Sequence, residues 1–394
     1  MTSAVVAGAG IAGLTAALAL AAKGFAVTVF EKAEDLQEAG AGLQLSPNAT
    51  RVLRSLGVLD HLEKEAVRPQ AVILKDAASL AKLARVPLGP SAEERWGAPY
   101  LVAHRADLQG ALLRTLQRFP SIKLITGAEI CRAEFTGSGV MVEIREQGGT
   151  RRVEGDLLVA ADGVWSKLRE LVGGPASHFT GYIAYRAILT HSSHGALSPG
   201  AVNAFLSPGF HLVAYPLRGG AATNLVAVTR GAETARGWSN NVDTDHLLKK
   251  MEGAAPALLD FIRDSGRWTA WPIYAAAEGG PWVDRQGLVL IGDAAHALTP
   301  YAAQGAAMAI EDAAALATLL VTRESLPEAL TAFERTRKAR VQKVIRRGNF
   351  NRLVWHAGGV VAFARNLALK LKSQQSLAAD LDWLYAYDAE KEER

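Results

Sequence analysis

Gly8-Ala9-Gly10-Ile11-Ala12-Gly13 sets three glycines at the spacing of a dinucleotide fingerprint, and Glu31 follows 18 residues after Gly13. In that pattern Gly8 makes a tight turn, and Gly10 lets backbone approach a pyrophosphate at a helix N-terminus. Gly13 permits close helix–strand packing, and Glu31 can accept hydrogen bonds from a ribose diol. NAD and FAD use the same device, so this motif leaves the dinucleotide open. A second motif narrows it. Leu288-Val289-Leu290-Ile291-Gly292-Asp293 puts a carboxylate directly after an apolar run, and Pro300-Tyr301-Ala302-Ala303-Gln304-Gly305-Ala306 then feeds a helix. The carboxylate suits the polyol of a riboflavin chain, and amides at Gly305 and Ala306 suit negative charge on a reduced flavin ring. The bland alternative is that Asp293 only caps the segment after it. Asp162-Gly163 marks another strand-to-helix turn, and Arg105 opens a helix where a second pyrophosphate contact would be useful.

A third set is Phe210-His211-Leu212-Val213-Ala214-Tyr215-Pro216. In a strand, His211, Val213 and Tyr215 share one face, so two polar groups roughly 13 Å apart flank an apolar one. Such a surface could cover an aromatic ring; the plainer reading is a half-buried Tyr and a surface His on a sheet. Arg186 could pair a carboxylate through its planar fork or stand exposed on its strand. His191-x-x-His194 has no Cys or carboxylate at ligand spacing, so no metal is expected.

The elements that must hold these residues follow from periodicity. Ala4–Ala7, a helix over 11–22 and Ala26–Phe30 read as strand, turn, helix and strand. Ser46-Pro47 opens a helix to Gly57, and residues 72–99 read as irregular, punctuated by Pro87, Pro90 and Pro99. Helical spacing resumes over 105–119, with strands at 123–126, 140–145 and 157–161 and a turn at 136–139. Segments 182–189, 202–206, 211–217 and 224–229 read as an antiparallel sheet. After the strand at 288–291 comes an Ala-rich helix over 305–320, then a helical tail from Glu328, basic over 335–372 and acidic over 380–393. The two kinds of sheet interrupt each other, which predicts interleaved rather than consecutive domains.

Composition narrows the class. The chain has 394 residues, 43 Lys+Arg against 39 Asp+Glu, and 49% hydrophobic residues, which excludes disordered, collagenous and disulfide-framework proteins. The basic residues form no dense block with interleaved aromatics, so no nucleic-acid role is expected. No apolar run is read as long enough to span a bilayer. One cysteine, Cys131, and no leader-like start suggest a reducing cytoplasm. The basic stretch 354–372 could touch a membrane or a partner helix, or pack as a solvated helix.

With these motifs in place the chain resembles the single-component FAD-dependent aromatic hydroxylases of the para-hydroxybenzoate hydroxylase superfamily. It is most similar to the branch of salicylate, 3-hydroxybenzoate 6- and 6-hydroxynicotinate 3-monooxygenases. The likeness runs through nearly the whole chain. It rests on the Gly8–Gly13 fingerprint with Glu31, the segment from Gly40 to Asn48, His104-Arg105-Ala106-Asp107-Leu108, Asp162-Gly163, and Gly292-Asp293 leading into Gln304-Gly305-Ala306-Ala307-Met308.

The resemblance implies an α/β fold: a Rossmann-like FAD-binding domain (residues 1–70, 101–180 and 276–335) interleaved with a substrate-binding β-sheet domain (71–100 and 181–275), plus a C-terminal helical segment (336–394). It implies tightly bound, non-covalent FAD, with NAD(P)H as a transient co-substrate and O2. Glu31 would bind the adenosine ribose, Arg105 the pyrophosphate side, Asp293 the ribityl chain, and Asp162-Gly163 the zone shared with nicotinamide. Ala12, Lys32, Gln44, Gly305 and Ala306 complete the cofactor set. His211 and Tyr215 would face a small aromatic or N-heteroaromatic acid, Tyr215 holding its hydroxyl and His211 acting as orienter or base, beside Arg186 and Pro300. A glutamine is expected at position 300 in the 3-hydroxybenzoate 6-hydroxylase pattern, and this chain departs from it. The implied chemistry is OH transfer from a flavin C4a-hydroperoxide. Competing readings are an epoxidase or quinone-pathway hydroxylase on the same fold, a non-catalytic FAD-binding scaffold and, accounting for least of the chain, an NAD dehydrogenase. The protein would be a homodimer or a monomer.

Overall fold

A computed structural model describes residues 2–36, 41–137, 139–190, 195–233 and 240–391. Gly40, Ser138, His191, His194 and the end of the acidic tail lie outside them. The fold is α/β. Its first sheet has six strands in the order Val283–Asp284, Leu288–Leu290, Leu157–Ala160, Ser3–Ala7, Ala26–Phe30 and Ile122–Ile125. All neighbours are parallel except the first pair. Short all-apolar strands such as Leu157-Leu158-Val159-Ala160, buried throughout, suit a sheet covered on both faces. Helix Ile11–Ala22 is apolar nearly all round because helices Arg105–Leu116 and Gly305–Thr322 pack against it.

The second sheet has eight strands: Asn240–Val242, Trp268–Ala275, His178–Thr190, Ala222–Arg230, Phe210–Leu217, Val202–Ser207, Ala71–Asp76 and Lys82–Pro87. Two expectations are corrected here. Residues 72–99 are not irregular: they hold the last two strands and helix Pro90–Trp96. Ala71–Asp76 alternates buried and half-buried side chains, but Lys75 occupies an inward position, which hides the period. Its ammonium donates to the Ala196 carbonyl at 2.6 Å and lies over the Phe205 ring. The sheet is also not wholly antiparallel, since Val202–Ser207 runs parallel to Ala71–Asp76. A third sheet, Glu129–Phe135, Val140–Glu146 and Gly149–Gly155, was read only in its middle strand. The strand Gly149–Gly155 is mostly exposed, so it carries little apolar signal.

Helix Gly305–Thr322 corrects the reading that no run could span a bilayer, for it is long and apolar enough by length and composition. It is instead a core helix, two-thirds buried, and its Glu311 and Asp312 are fully buried. Both acids meet arginines of the long helix Leu326–Trp355. Arg337 donates from Nε to Asp312 and from Nη1 to Glu311, each at 2.8 Å. Arg340 holds Glu311 through Nε at 3.1 Å and Nη2 at 2.9 Å. The second Asp312 oxygen accepts the Gly292 amide at 2.9 Å and His296 Nε2 at 2.6 Å, so that ring nitrogen carries a hydrogen. Burial alone would raise the Asp312 carboxyl, but His296, Arg337 and the Gly292 amide hold it down at about 2.

Replacing Arg337 by Met leaves two buried carboxylates short of a partner. The expected loss is ~3–5 kcal/mol of unfolding free energy, read by urea denaturation at neutral pH. A loss under ~1 kcal/mol would show that the cluster relaxes to solvent.

Candidate active site

Four loops leave the carboxyl ends of adjacent parallel strands, where open α/β sheets bind ligands. In spatial order they carry Asp293 after Leu288–Leu290, Asp162 after Leu157–Ala160, Gly8 after Ser3–Ala7 and Glu31 after Ala26–Phe30. The glycines show which approaches are tight and which are open. A Cβ on Gly8, at φ +101°, would lie 2.6 Å from the Ala161 carbonyl oxygen, and one on Gly13 would strike Gly8. A Cβ on Gly10, Gly163 or Gly305 would meet nothing within 4 Å. The crevice is therefore closed where the backbone must turn and open beside Gly10, Gly163 and Gly305.

The polar groups converge on the same crevice. Glu31 accepts the Ala9 amide at 2.7 Å and the Ala33 amide at 2.9 Å, which fixes its carboxylate beside the glycine turn. Lys32 is exposed, and Ala12 packs under Gly292, whose φ of +57° leaves room for no Cβ. Asp162 accepts the Lys167 amide at 3.1 Å through one oxygen, while the other is buried without a partner. Burial raises its carboxyl despite the hydrogen bonds it accepts. Arg105, at the start of its helix, is lowered by burial and raised by the charge of exposed Asp293. Arg169, which the sequence reading passed over, feels burial first and then Asp162 and Asp293. Gln44 is held by the Tyr100 hydroxyl at 2.7 Å rather than by backbone.

The second sheet supplies the facing wall. On Phe210–Leu217 the split of faces is as expected: Phe210, Leu212 and Ala214 pack into the core under helices Thr244–Lys250 and Pro256–Asp264, leaving His211, Val213 and Tyr215 on the other face. Cross-strand pairing extends that face. Val213 pairs with Val226, and Val226 with Arg186; these three are half-buried and make a floor. Buried rows flank it, Tyr215 with Asn224 on one side and His211 with Val228 on the other. The Arg186 guanidinium lies 4.8 Å from the Trp271 ring centre, and its Nε is buried without a partner. Burial lowers its pKa, while Tyr215 raises it.

Tyr215 is not the half-buried side chain of the plainer reading, nor is His211 a surface histidine: they are 3% and 2% exposed. Burial pushes the Tyr215 hydroxyl well up, and Arg186 opposes it. His211 Nδ1 lies 2.9 Å from His356 Nε2, and its ring packs on Tyr301 and Trp355. Burial and the neighbouring imidazole lower His211 to about 3, and burial with Arg352 and Arg230 lowers His356 to about 4. Both rings are neutral near pH 7. Tyr301, beside Pro300, has a buried hydroxyl without a partner. His356, Tyr301 and Asn224 were all missed. A lone histidine ending a basic helix gives no signal, whereas the alternation along Ala222–Arg230 could have pointed to Asn224. Asn224 accepts the Gly42 amide at 2.8 Å, and a Cβ on Gly42 would lie 2.6 Å from its Cγ and 2.7 Å from Tyr215 Cε2.

Comparison with known proteins agrees with this geometry. Residues 1–348 match the family described as FAD binding domain. A 3-hydroxybenzoate 6-hydroxylase of Polaromonas naphthalenivorans is 33% identical over 97% of this chain and 95% of its own length. A 3-amino-4-hydroxybenzoate 2-monooxygenase of Streptomyces cremeus is 35% identical over 87% of this chain and 84% of its own. The structure of Klebsiella pneumoniae HpxO complexed with FAD and uric acid superposes with a TM-score of 0.82 at 26% identity, covering 96% and 95% of the two chains. The crevice at the strand ends and the match along 348 residues have one explanation: the chain belongs to the FAD binding domain family.

Proposed function

We propose that this protein is an FAD-dependent monooxygenase that hydroxylates a small activated aromatic or N-heteroaromatic acid, using NAD(P)H and O2. The observation that carries this reading is the half-buried floor of Val213, Val226 and Arg186 between two buried rows, Tyr215 with Asn224 and His211 with Val228. In this reading an aromatic ring lies over the valines, and the unpartnered Arg186 Nε suits a carboxylate at the ring's edge. Relatives named for hydroxybenzoates and aminohydroxybenzoates support that substrate class.

The crevice residues fit FAD. Open space at Gly10, Gly163 and Gly305 and the unpartnered Asp162 oxygen are features a bound dinucleotide would use. We assign Glu31 to the adenosine ribose, Arg105 to the pyrophosphate, Asp293 to the ribityl chain, and the amides of Gly305 and Ala306 to the flavin ring. We also assign residues 1–70, 101–180 and 276–335 to cofactor binding and 71–100 and 181–275 to substrate. When bound, the flavin supplies reduction by NAD(P)H and activation of oxygen.

The chain's own residues place the ring and manage its phenolic proton. Tyr215, strongly resisting ionisation in its buried site, is suited to donate a hydrogen bond to the substrate hydroxyl. His211 can accept a proton only at Nε2, because Nδ1 is engaged by His356. For that role Nδ1 carries the hydrogen and donates to His356 Nε2. The close packing of His211 by Trp355, Tyr301 and His356 favours a second reading, a flavin-binding scaffold without turnover, over a long-tunnel epoxidase.

Anaerobic reduction of the yellow protein by NADH and NADPH, against a panel of hydroxybenzoates and hydroxynicotinates, tests the assignment. One ring acid is expected to accelerate bleaching and to emerge hydroxylated when oxygen is admitted. If none changes the rate, the aromatic-acid reading falls and the scaffold moves forward. Asp293→Ala is expected to weaken FAD retention by about one to two orders of magnitude, the usual value of a charged hydrogen bond, read by flavin remaining after dialysis. Full retention would remove Asp293 from the site. Tyr215→Phe is expected to slow hydroxylation at least about tenfold with FAD affinity unchanged, since it removes only the hydrogen-bonding hydroxyl; equal turnover would exclude the hydroxyl from the mechanism.

A further inference from the structure

His211 is a buried base with no opposite charge beside it. Tyr301 and Trp355 pack on its ring, and Tyr182, Arg352 and Arg230 stand around its neighbour His356. None of these groups is a carboxylate. Buried His296, by contrast, has Asp312 at 2.6 Å, which can balance a second proton on that ring. A proton that came to rest on His211 would leave a desolvated imidazolium facing a second imidazole, with two guanidiniums behind it. Burial without a partner penalises such an ion heavily. His211 acting alone is therefore a poor acceptor for a phenolic proton.

The contact with His356 supplies what is missing. His211 Nδ1 lies 2.9 Å from His356 Nε2, and among the described residues neither His211 Nε2 nor His356 Nδ1 has a hydrogen-bond partner. The two rings form a short chain open at both ends. Its inner ring is buried on the strand Phe210–Leu217, and its outer ring is half-buried, just past the end of helix Leu326–Trp355. That helix end is held in place. The His356 amide donates to the Arg352 carbonyl at 3.2 Å, and Arg365 donates to the Val354 and Trp355 carbonyls at 2.9 and 3.2 Å.

We propose that His356 is the outlet for the substrate's phenolic proton, which crosses His211 without resting there. This inference rests on the hydroxylase reading above. As the substrate O–H bond breaks, an N–H bond forms at His211 Nε2. The Nδ1–H bond of His211 breaks in the same movement and a new one forms at His356 Nε2, whose ring releases its own Nδ1 proton to water. Each ring gains one proton and loses one, so neither becomes a lasting cation. Reprotonation of the product oxygen runs the same steps backward and restores both tautomers. Burial, then Arg352 and Arg230, keep a proton from lodging on His356, and burial does the same at His211. His356 acts through His211 and is in that sense a positioning residue.

Single-turnover hydroxylation by the FAD-loaded full chain tests the proposal, with the ring acid that the hydroxybenzoate and hydroxynicotinate panel selects. It is run at about pH 8, where free imidazole is mostly neutral. His356→Gln keeps an oxygen to accept the Nδ1 hydrogen bond but cannot pass a proton on. The variant is expected to slow both hydroxylation and loss of the bound acid's phenolic proton, followed in its ultraviolet spectrum, at least about tenfold, as for a lost proton transfer. Affinity for the acid, flavin content and anaerobic reduction by NAD(P)H are expected to stay at wild-type values. His356→Ala is expected to be equally slow and to recover when millimolar imidazole is added. A Gln variant at the wild-type rate would show that His356 only holds the ring and would overturn the proposal. So would an Ala variant whose rate imidazole leaves unchanged. Either result leaves the hydroxylase standing, whereas a panel without an active ring acid removes the hydroxylase and this outlet together.

Discussion

The rest of the molecule depends on four charges placed out of reach of water. Glu311 and Asp312 sit side by side on one buried helix, and Arg337 and Arg340 reach them from the next. Burying an ion costs several kcal/mol unless its partner is well placed, so this arrangement permits little movement between the two helices. Its reach extends beyond them. Glu311 also accepts from Asn48 at 2.6 Å, Asn48 donates to Gln304, and Gln304 donates to Ser46. Through Asp312 the cluster holds the Gly292 amide, so the turn before Asp293 and the turn before Gly305 hang from the same set of bonds.

This explains a local surprise. Ser46 begins helix Pro47–Ser55 in the capping position, with Pro47 first in the helix, yet its hydroxyl makes no cap. It donates to the Asn48 side chain at 2.6 Å instead, leaving the first turn to be anchored by the buried network. The helix is thus fixed from the cofactor side of the fold. Arg340 carries the network outward to the Trp383 and Leu384 carbonyls, which ties the last short helix to the same centre.

Much of this was legible in the sequence because it is local. The glycine turn, Asp162-Gly163 and Gly292-Asp293 each lie within a few residues of a strand end, and their order along the sheet follows from parallel topology. The alternation His211, Val213, Tyr215 likewise fixed a face without any knowledge of its neighbours. What the sequence hid depends on distant partners. Nothing near His356 announces that it meets His211, 145 residues away. The apolar period of Ala71–Asp76 is broken by Lys75, whose burial makes sense only once the Ala196 carbonyl is beside it. Gly149–Gly155 forms a strand because its neighbour offers a ladder, not because its own residues are apolar.

Gly42 deserves a separate reading, since it lies on a short strand outside both large sheets and meets two side chains of the eight-stranded one. Its amide is bonded to Asn224, and its missing side chain is the space that Tyr215 and Asn224 occupy. A side chain at position 42 therefore demands a smaller residue at 215 or 224. The floor valines carry no such obligation. Val213 and Val226 are half-buried on the open face of the sheet, so substitution there leaves the contact of Gly42 with Tyr215 and Asn224 untouched. Directed evolution of a new specificity would accordingly find its tolerant sites in the middle row and its dead ends beside the glycine.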